Sequence, residues 1–355
     1  MALSLKEKAR EYESIVVFYD KSSRLHAVIA IHDTTLGPSI GGCRMIPYKS
    51  EEDALDDVLR LAKSMTYKCA LAGVKYGGGK SVILSPKKNY DRQSIFRAFG
   101  SFVNKLEGKY ITAIDSGTSM EDMEVVSRET HYVTGYNTQS DCDLNPSYFT
   151  ALGVMESLFA SVEFKYGSRD LKEKVVCIKG VGGVGGHLAR LINEYGAQLY
   201  VTDINSDKVK NCVEKTGAKP IDPGKIFNLK YDILCPCDVE HTVTSNNIDQ
   251  IKTDIIVGAT NNQLEESVLA TALSKKGILY CPDFVANSGG LIYVTDLYEK
   301  NSIKNIEEKI KNIRFMTKDV FSLSKSENIS TEEAADILAQ NIIDKKKQEA
   351  NKLFS

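Results

Sequence analysis

Apolar residues change their spacing several times along the chain, and each change predicts an element. Residues 24–33, RLHAVIAIHD, alternate and then run apolar, as a sheet strand does. TTLGPSIGGCRM follows and reads as a glycine-rich turn. Ser50 with Asp53 is a capping-box signal. Behind it Leu55, Val58, Leu59, Ala62 and Met65 share one helical face, and the helix ends near Lys68. Gly77, Gly78 and Gly79 then read as a second turn, with Lys80 opening the strand Ser81 to Leu84. Ser94 to Leu106 is amphipathic, YITAID (110–115) is a strand ending in Asp115, Met120 to Glu129 is a helix, and HYVTG is a short strand.

GYNTQSDCDLNPSYFT, 135–150, is polar, turn-rich and without period, which predicts a hinge. A helix from Pro146 to Val162 leads out of it. KVVCIK is then a buried strand, GVGGVG spans Gly180 to Gly185, a helix runs to Tyr195, and LYVTD ends in Asp203, 23 residues after Gly180. This strand–glycine turn–helix–strand–acid order is the context that gives G-x-G-x-x-G its meaning as a dinucleotide site. Gly180, Gly182, Gly183 and Gly185 admit a pyrophosphate to the helix N-terminus, whose free N–H groups and dipole favour anions. The Asp203 carboxylate suits ribose hydroxyls and repels a 2′-phosphate, so the expected cofactor is NAD rather than NADP. Strands are predicted at 232–236, 255–259 and 278–281, with a helix near 265–275. GATNNQ, 258–263, follows a strand where such folds contact the cofactor. SGGLIYVTDLYEK, 288–300, starts glycine-rich and continues as a helix; two charged helical stretches, 303–326 and 330–353, follow. The expectation is an α/β protein of two domains: an α/β domain over 1–140, on which a C-terminal helix, 330–355, packs back, and a Rossmann-type domain over 145–329.

At 355 residues the chain has material for two such cores, and its 42% hydrophobic and 26% charged residues suit a soluble globular protein. A net charge of −2 removes the electrostatic case for nucleic acid or a membrane surface. No apolar run reaches membrane-spanning length, and MALSLKEKAREYE is not a signal peptide. Eight scattered cysteines, several inside apolar runs such as VVCIKG and DILCPC, predict reduced core thiols and a cytoplasmic protein. Cys235, Cys237 and His241 lack zinc-knuckle spacing, so no metal is expected.

Lys68 and Lys80 stand twelve residues apart around the glycines. GGGKS ends like a phosphate-binding loop, but the glycine required six residues before the lysine is Val74, and SVIL reads as a strand rather than a helix. A lysine shielded from water beside a second cation loses proton affinity and becomes a base near neutral pH. Lys80 is the candidate for that role.

Several stretches together resemble the glutamate/leucine/phenylalanine/valine dehydrogenases: IAIHDTTLGP, GGCRM, MTYKCALAG, GGGK, YITAIDSGTS, YVTG, GVGGVG, VTDIN, GATNNQ and PDFVANSGG, in the family's order. The resemblance implies reversible, NAD-dependent oxidative deamination of an L-amino acid to its 2-oxo acid and ammonia. It also implies a substrate and oligomerisation domain, a cleft before the dinucleotide domain, and a homo-oligomer, from dimer to octamer. By resemblance Lys68 binds the substrate carboxylate, Lys80 activates water against the imine, and Asp115 relays protons to and from the amino group. Gly41, Gly42, Met65, Thr134 and Asn261 match positions near the substrate. Thr150, Ala259, Thr260 and Asn261 match positions near the cofactor, beside Val184 and Ile204 of the dinucleotide motif.

Glutamate-specific members carry a lysine just before the GG pair, where this chain has Ile40. A carboxylate buried there without a partner would cost several kcal/mol. Ile40, Ala113, Leu291 and Val294 match the family's aliphatic pocket, and phenylalanine-specific members tend to have glycine at Ile40. Leucine, isoleucine or valine are therefore the expected substrates, with an aromatic amino acid as the alternative. A non-catalytic dinucleotide-binding protein on the same fold is expected to lose Lys68, Lys80 or Asp115, and all three are present. The chain departs from the family at Ile114, where an acid is usual, at Ser116, in GVGGVG, and in the 135–150 segment.

Overall fold

The computed structural model describes residues 9–86, 89–136 and 145–353. The chain divides into two units. One holds the described residues of Met1–Gln139, Val294–Asn301 and Ala339–Ser355; the other holds those of Ser140–Tyr293 and Ser302–Leu338.

The first unit contains β1 (Ser14–Asp20), β2 (Leu25–Asp33), β3 (Ser39–Ile46), α1 (Glu51–Ala72), β4 (Gly77–Leu84), α2 (Arg92–Asn104), β5 (Tyr110–Ile114) and α3 (Met120–Ser127). Its sheet runs β1-β2-β4-β3-β5. β1–β2 and β2–β4 are antiparallel, while β4–β3 and β3–β5 are parallel. Strand alternation divides β2 between two cores. Ala27, Ile29 and Ile31 pack with Phe96, Phe99 and Val103 of α2 and Met123 and Val126 of α3. Val28 and Ala30 pack with Ala54, Val58, Leu59 and Ala62 of α1. Both faces are covered, which is why β2 reads as a nearly continuous apolar run.

α1 begins where the sequence predicts, with the Asp53 N–H donating to Ser50 Oγ at 3.0 Å. It runs past Lys68 to Ala72 and stops at Gly73, whose φ of 67° is left-handed. Of the two glycine stretches read as turns, residues 35–38 do form a turn, but the rest is strand. Ile40 to Met45 lie within β3, and Gly77, Gly78 and Gly79 open β4. These glycines serve close packing. A Cβ on Gly78 would lie 2.1 Å from the Thr66 N of α1, and one on Gly41 would lie 1.8 Å from the Gly79 carbonyl oxygen. HYVTG contributes only a bridge, Val133 to Thr112. The predicted hinge falls largely outside the described residues.

The second unit contains α4 (Pro146–Tyr166), β6 (Val175–Lys179), α5 (Gly183–Glu194), β7 (Gln198–Thr202), α6 (Ser206–Thr216), β8 (Lys219–Pro220), β9 (Tyr231–Pro236), β10 (Thr253–Ile256), α7 (Val268–Lys275), β11 (Leu279–Tyr280) and α8 (Asp283–Ala286). The sheet runs β11-β10-β9-β6-β7-β8 and every pairing is parallel. Numbered within the unit, that is the doubly wound order 3-2-1-4-5-6, with its switch point between β6 and β9. Cys177, Leu234, Ile256 and Tyr280 of this sheet share a core with Leu269 and Leu273 of α7.

Three helices follow: α9 (Gly289–Tyr298), α10 (Ile303–Glu327) and α11 (Thr331–Leu353). The terminal helix does not belong wholly to the first unit, because α11 as far as Leu338 groups with the second. From Ala339 it joins the first, where Lys347 pairs with Asp33 at 2.9 Å and Tyr67 donates to Gln340 at 3.2 Å. Val294–Asn301, within the stretch expected for the dinucleotide domain, also groups with the first unit. There the Thr134 hydroxyl donates to the Val294 carbonyl at 3.1 Å.

Candidate active site

Lys80 is 6% exposed, and its Nζ lies 2.5 Å from Asp115 Oδ2. Alternation puts Lys80 on the face of β4 that Gly78 turns toward α1. Ile40 pairs with Gly78 and Gly42 with Ala113, so Ile40, Gly42 and Arg44 share that face of the sheet. Gly42 makes room for the acid: a Cβ there would lie 2.6 Å from the Asp115 Cβ. The Asp115 N–H donates to Thr118 Oγ1 at 2.9 Å, which fixes the backbone at the end of β5.

Lys68 and Met65 lie half-buried on α1. Their helix is pinned over the start of β4, where Thr66 meets Gly78 and the Cys69 thiol reaches the Gly77 carbonyl at 3.4 Å. Ile40 is 1% exposed and Thr134 3%. Ala113 is half-buried, as are Leu291 and Val294, one turn apart on α9.

In the second unit Gly180 has a φ of 94°, open to glycine at little cost. α5 starts at Gly183 behind Gly182, an N-cap without a side-chain hydrogen bond. A Cβ on Gly185 would lie 1.9 Å from the Gly180 oxygen, whereas one on Gly182 would meet only the Lys208 Nζ, at 3.9 Å. The turn is thus closed on its helix side and open at Gly182, a cradle that fits a pyrophosphate. Asp203 accepts the Val181 and Asn205 N–H groups, each at 2.9 Å, and Ile204 beside it is 97% exposed. Ala259 donates to the Pro236 oxygen at 2.7 Å. Asn287 Nδ2 donates to the Ala259 oxygen at 3.1 Å and to Asn261 Oδ1 at 2.8 Å. Thr150 donates to the Pro146 oxygen at 2.8 Å, and its Oγ1 would lie 2.4 Å from a Cβ on Gly290. Among the described residues no cluster of His, Cys, Asp and Glu is arranged to hold a metal.

Family models match twice: the Glu/Leu/Phe/Val dehydrogenase dimerisation domain over residues 14–132, and the glutamate/leucine/phenylalanine/valine dehydrogenase model over 198–350. The leucine dehydrogenase of Geobacillus stearothermophilus is 45% identical over 94% of this chain and 91% of its own. The phenylalanine dehydrogenase of Lysinibacillus sphaericus is 39% identical over 98% and 93%. The chain belongs to the glutamate/leucine/phenylalanine/valine dehydrogenase family. It is an amino acid dehydrogenase, an oxidoreductase acting on CH–NH2. Among solved structures, the L-tryptophan dehydrogenase of Nostoc punctiforme superposes with a TM-score of 0.87 at 37% identity, covering 97% of this chain and all of that one.

Within this family frame, the structure adds a residue that sequence reasoning missed. Arg44 Nε lies 3.3 Å from Asp115 Oδ2, and its Nη1 lies 2.9 Å from Asp57 Oδ2. Burial would raise the Asp115 carboxyl, but the charges of Lys80 and Arg44 outweigh it and hold the group down at about 2. Asp57 also titrates low: burial raises it, while the Tyr48 hydroxyl, Arg44 and Arg60 lower it. The sequence signal for Arg44 was its even spacing from Ile40 and Gly42, which has meaning only once IGGCRM is a strand.

Proposed function

We propose that the chain catalyses NAD-dependent, reversible oxidative deamination of a branched-chain aliphatic L-amino acid (leucine, isoleucine or valine) to the 2-oxo acid and ammonia. The observation that carries this reading is the Lys80–Asp115 pair, 2.5 Å apart with side chains only 8% and 17% exposed. It is a proton donor and a proton acceptor in contact, largely shielded from water. Lys68 binds the substrate carboxylate. Asp115, ionised at neutral pH, takes a proton from the substrate ammonium. Bound NAD supplies the hydride acceptor. Lys80 takes a proton from the water that adds to the imine carbon, returns it to nitrogen so that ammonia can leave, and takes up the hydroxyl proton as the carbonyl forms. The glycine turn, Asp203, Thr150 and Ala259–Asn261 are the groups that hold the dinucleotide, with Asp203 toward the ribose hydroxyls.

Ile40, 1% exposed, supports an apolar substrate side chain. A glutamate carboxylate beside it would be desolvated without a partner, at about 2–7 kcal/mol or more. The relatives named for phenylalanine and tryptophan keep an aromatic substrate as the second reading. Each methylene is worth only about 1–3 kcal/mol in such a pocket. The first family model is a dimerisation domain, which supports a homo-oligomer. Reduced thiols support a cytoplasmic setting.

The test is NADH formation with leucine, isoleucine, valine, phenylalanine, tryptophan and glutamate in turn. We expect the highest kcat/KM among the first three and negligible rate with glutamate. A clear preference for phenylalanine or tryptophan would overturn the pocket assignment, and no NADH from any amino acid would overturn the reaction.

A further inference from the structure

The switch point of the second sheet holds an ion pair that none of the roles above uses. Lys179 is the last residue of β6, immediately before the glycine turn, and its Nζ pairs with Asp238 Oδ2. Asp238 follows β9, the strand on the other side of the switch point. Its side chain is 21% exposed and that of Lys179 is 19% exposed. The acid is fixed from a third strand end as well. Thr260, 3% exposed and just beyond β10, donates its hydroxyl to the Asp238 backbone oxygen at 2.9 Å and lies 3.2 Å from Oδ1. The backbone beneath is equally tight: the Cys237 N–H donates to the Lys179 oxygen at 2.7 Å, and a Cβ on Gly180 would lie 2.7 Å from the Asp238 N.

The Asp238 backbone therefore lies against the turn that a dinucleotide pyrophosphate approaches, and its carboxylate, held by Lys179 and Thr260, brings a negative charge to the same switch point, where a bare negative charge opposes binding. A carboxylate serving only to tie loops together has no need of this position, since Thr260 bonds its backbone regardless. The cation that cancels it comes from the residue next to the first glycine.

We propose that Lys179 is a positioning residue for the dinucleotide, which neutralises Asp238 and so keeps the glycine turn receptive to the two phosphates. This rests on the proposed dinucleotide site, and the experiment separates the two failures.

NADH binding is titrated by fluorescence in the wild type and in K179Q, K179R, D238N and K179Q/D238N, at low and high salt. Wild type that does not bind NADH defeats the dinucleotide site itself. Given binding, K179Q is expected to bind about tenfold more weakly or worse at low salt, with the loss shrinking as salt screens the unpaired, partly exposed carboxylate. K179R keeps the affinity. D238N, which leaves the Lys179 charge uncancelled, binds at least as tightly as wild type, and adding it to K179Q restores affinity to within about threefold. A purely structural tie gives another pattern: K179Q and D238N both weaken binding, the double variant is no better, and salt does not change the loss. That pattern, or K179Q within about twofold of wild type, overturns the proposal. If K179Q does not fold, D238N alone decides, because weaker binding by it overturns the proposal.

Discussion

Replacing Arg44 by methionine, which keeps the apolar stem and removes the charge, tests whether two cations rather than one hold Asp115 ionised. The Arg44 Nε to Asp115 Oδ2 separation is 3.3 Å, with side chains 19% and 17% exposed. Unit charges at that distance and an effective dielectric of about 20 interact by roughly 5 kcal/mol, an upper bound because guanidinium charge is delocalised. An arginine beside an aspartate typically lowers its pKa by about 1–3 units. With Lys80 still 2.5 Å away, the lower part of that range applies. The carboxyl should therefore rise from about 2 by roughly 1–2 units, worth about 1.4–3 kcal/mol. The folded value lies below the unfolded one, so this stability is complete above the unfolded carboxylate pKa and is lost as pH falls through the folded value. Arg44→Met should then be destabilised by roughly 1.4–3 kcal/mol at neutral pH, with the deficit narrowing below about pH 4. Asp57, which also loses Arg44, moves the same way. Urea unfolding of both proteins from about pH 3 to about pH 8 reads the difference directly. A deficit that stays constant as pH falls, or one below about 0.5 kcal/mol at neutral pH, would refute the reasoning.

Two further outcomes follow from the site. Lys80→Ala should lower kcat by about 10²–10⁴-fold while NADH binding persists, because the lysine belongs to the first unit and the glycine turn to the second. Steady-state rates near wild type would remove Lys80 from the chemistry. Asp203→Ala should raise the KM for NAD and narrow the preference over NADP by about tenfold or more, since the carboxylate is the group that opposes a 2′-phosphate. An unchanged NAD-to-NADP ratio of kcat/KM would count against that role.

The second unit was the more legible half of the fold. A buried strand, a glycine turn, an amphipathic helix and an acid at the next strand end appear in one continuous stretch, so local pattern suffices from Val175 to Asp203. The first unit was harder because its central strands are rich in glycine. Ile40 to Met45 and Gly77 to Gly79 show no apolar alternation, and glycine is the usual mark of a turn. What makes these segments strands is tertiary. A side chain on Gly77 would lie 2.0 Å from the Asp33 oxygen, and one on Gly79 would lie 2.9 Å from Ser39 Oγ. β1 escaped notice for a different reason: it is an edge strand whose outer residues, Val17 and Tyr19, are 49% and 62% exposed.

The candidate site divides along the same line, and the division has a physical cause. Lys80 and Asp115 stand out because each sits at a strand boundary beside glycine or a turn. Their second cation does not, because an ion pair between strands is invisible until register is known. The same logic operates in both units. Gly42 lets the Asp115 side chain approach to where an added Cβ would be 2.6 Å from its Cβ, and Gly180 lets the Asp238 backbone approach, its N 2.7 Å from where a Cβ would be. Each close approach carries a carboxylate into a partly desolvated place, where it needs an opposite charge. In each case the cation lies within two residues of a glycine: Arg44 after Gly42, Lys80 after Gly79, Lys179 before Gly180. A glycine that admits an acid, followed or preceded by the base that holds it, is thus a rule that searching for the glycine motif alone passes over. It is also why Arg44→Met and K179Q should act through charge, on Asp115 and on Asp238 respectively, rather than through packing.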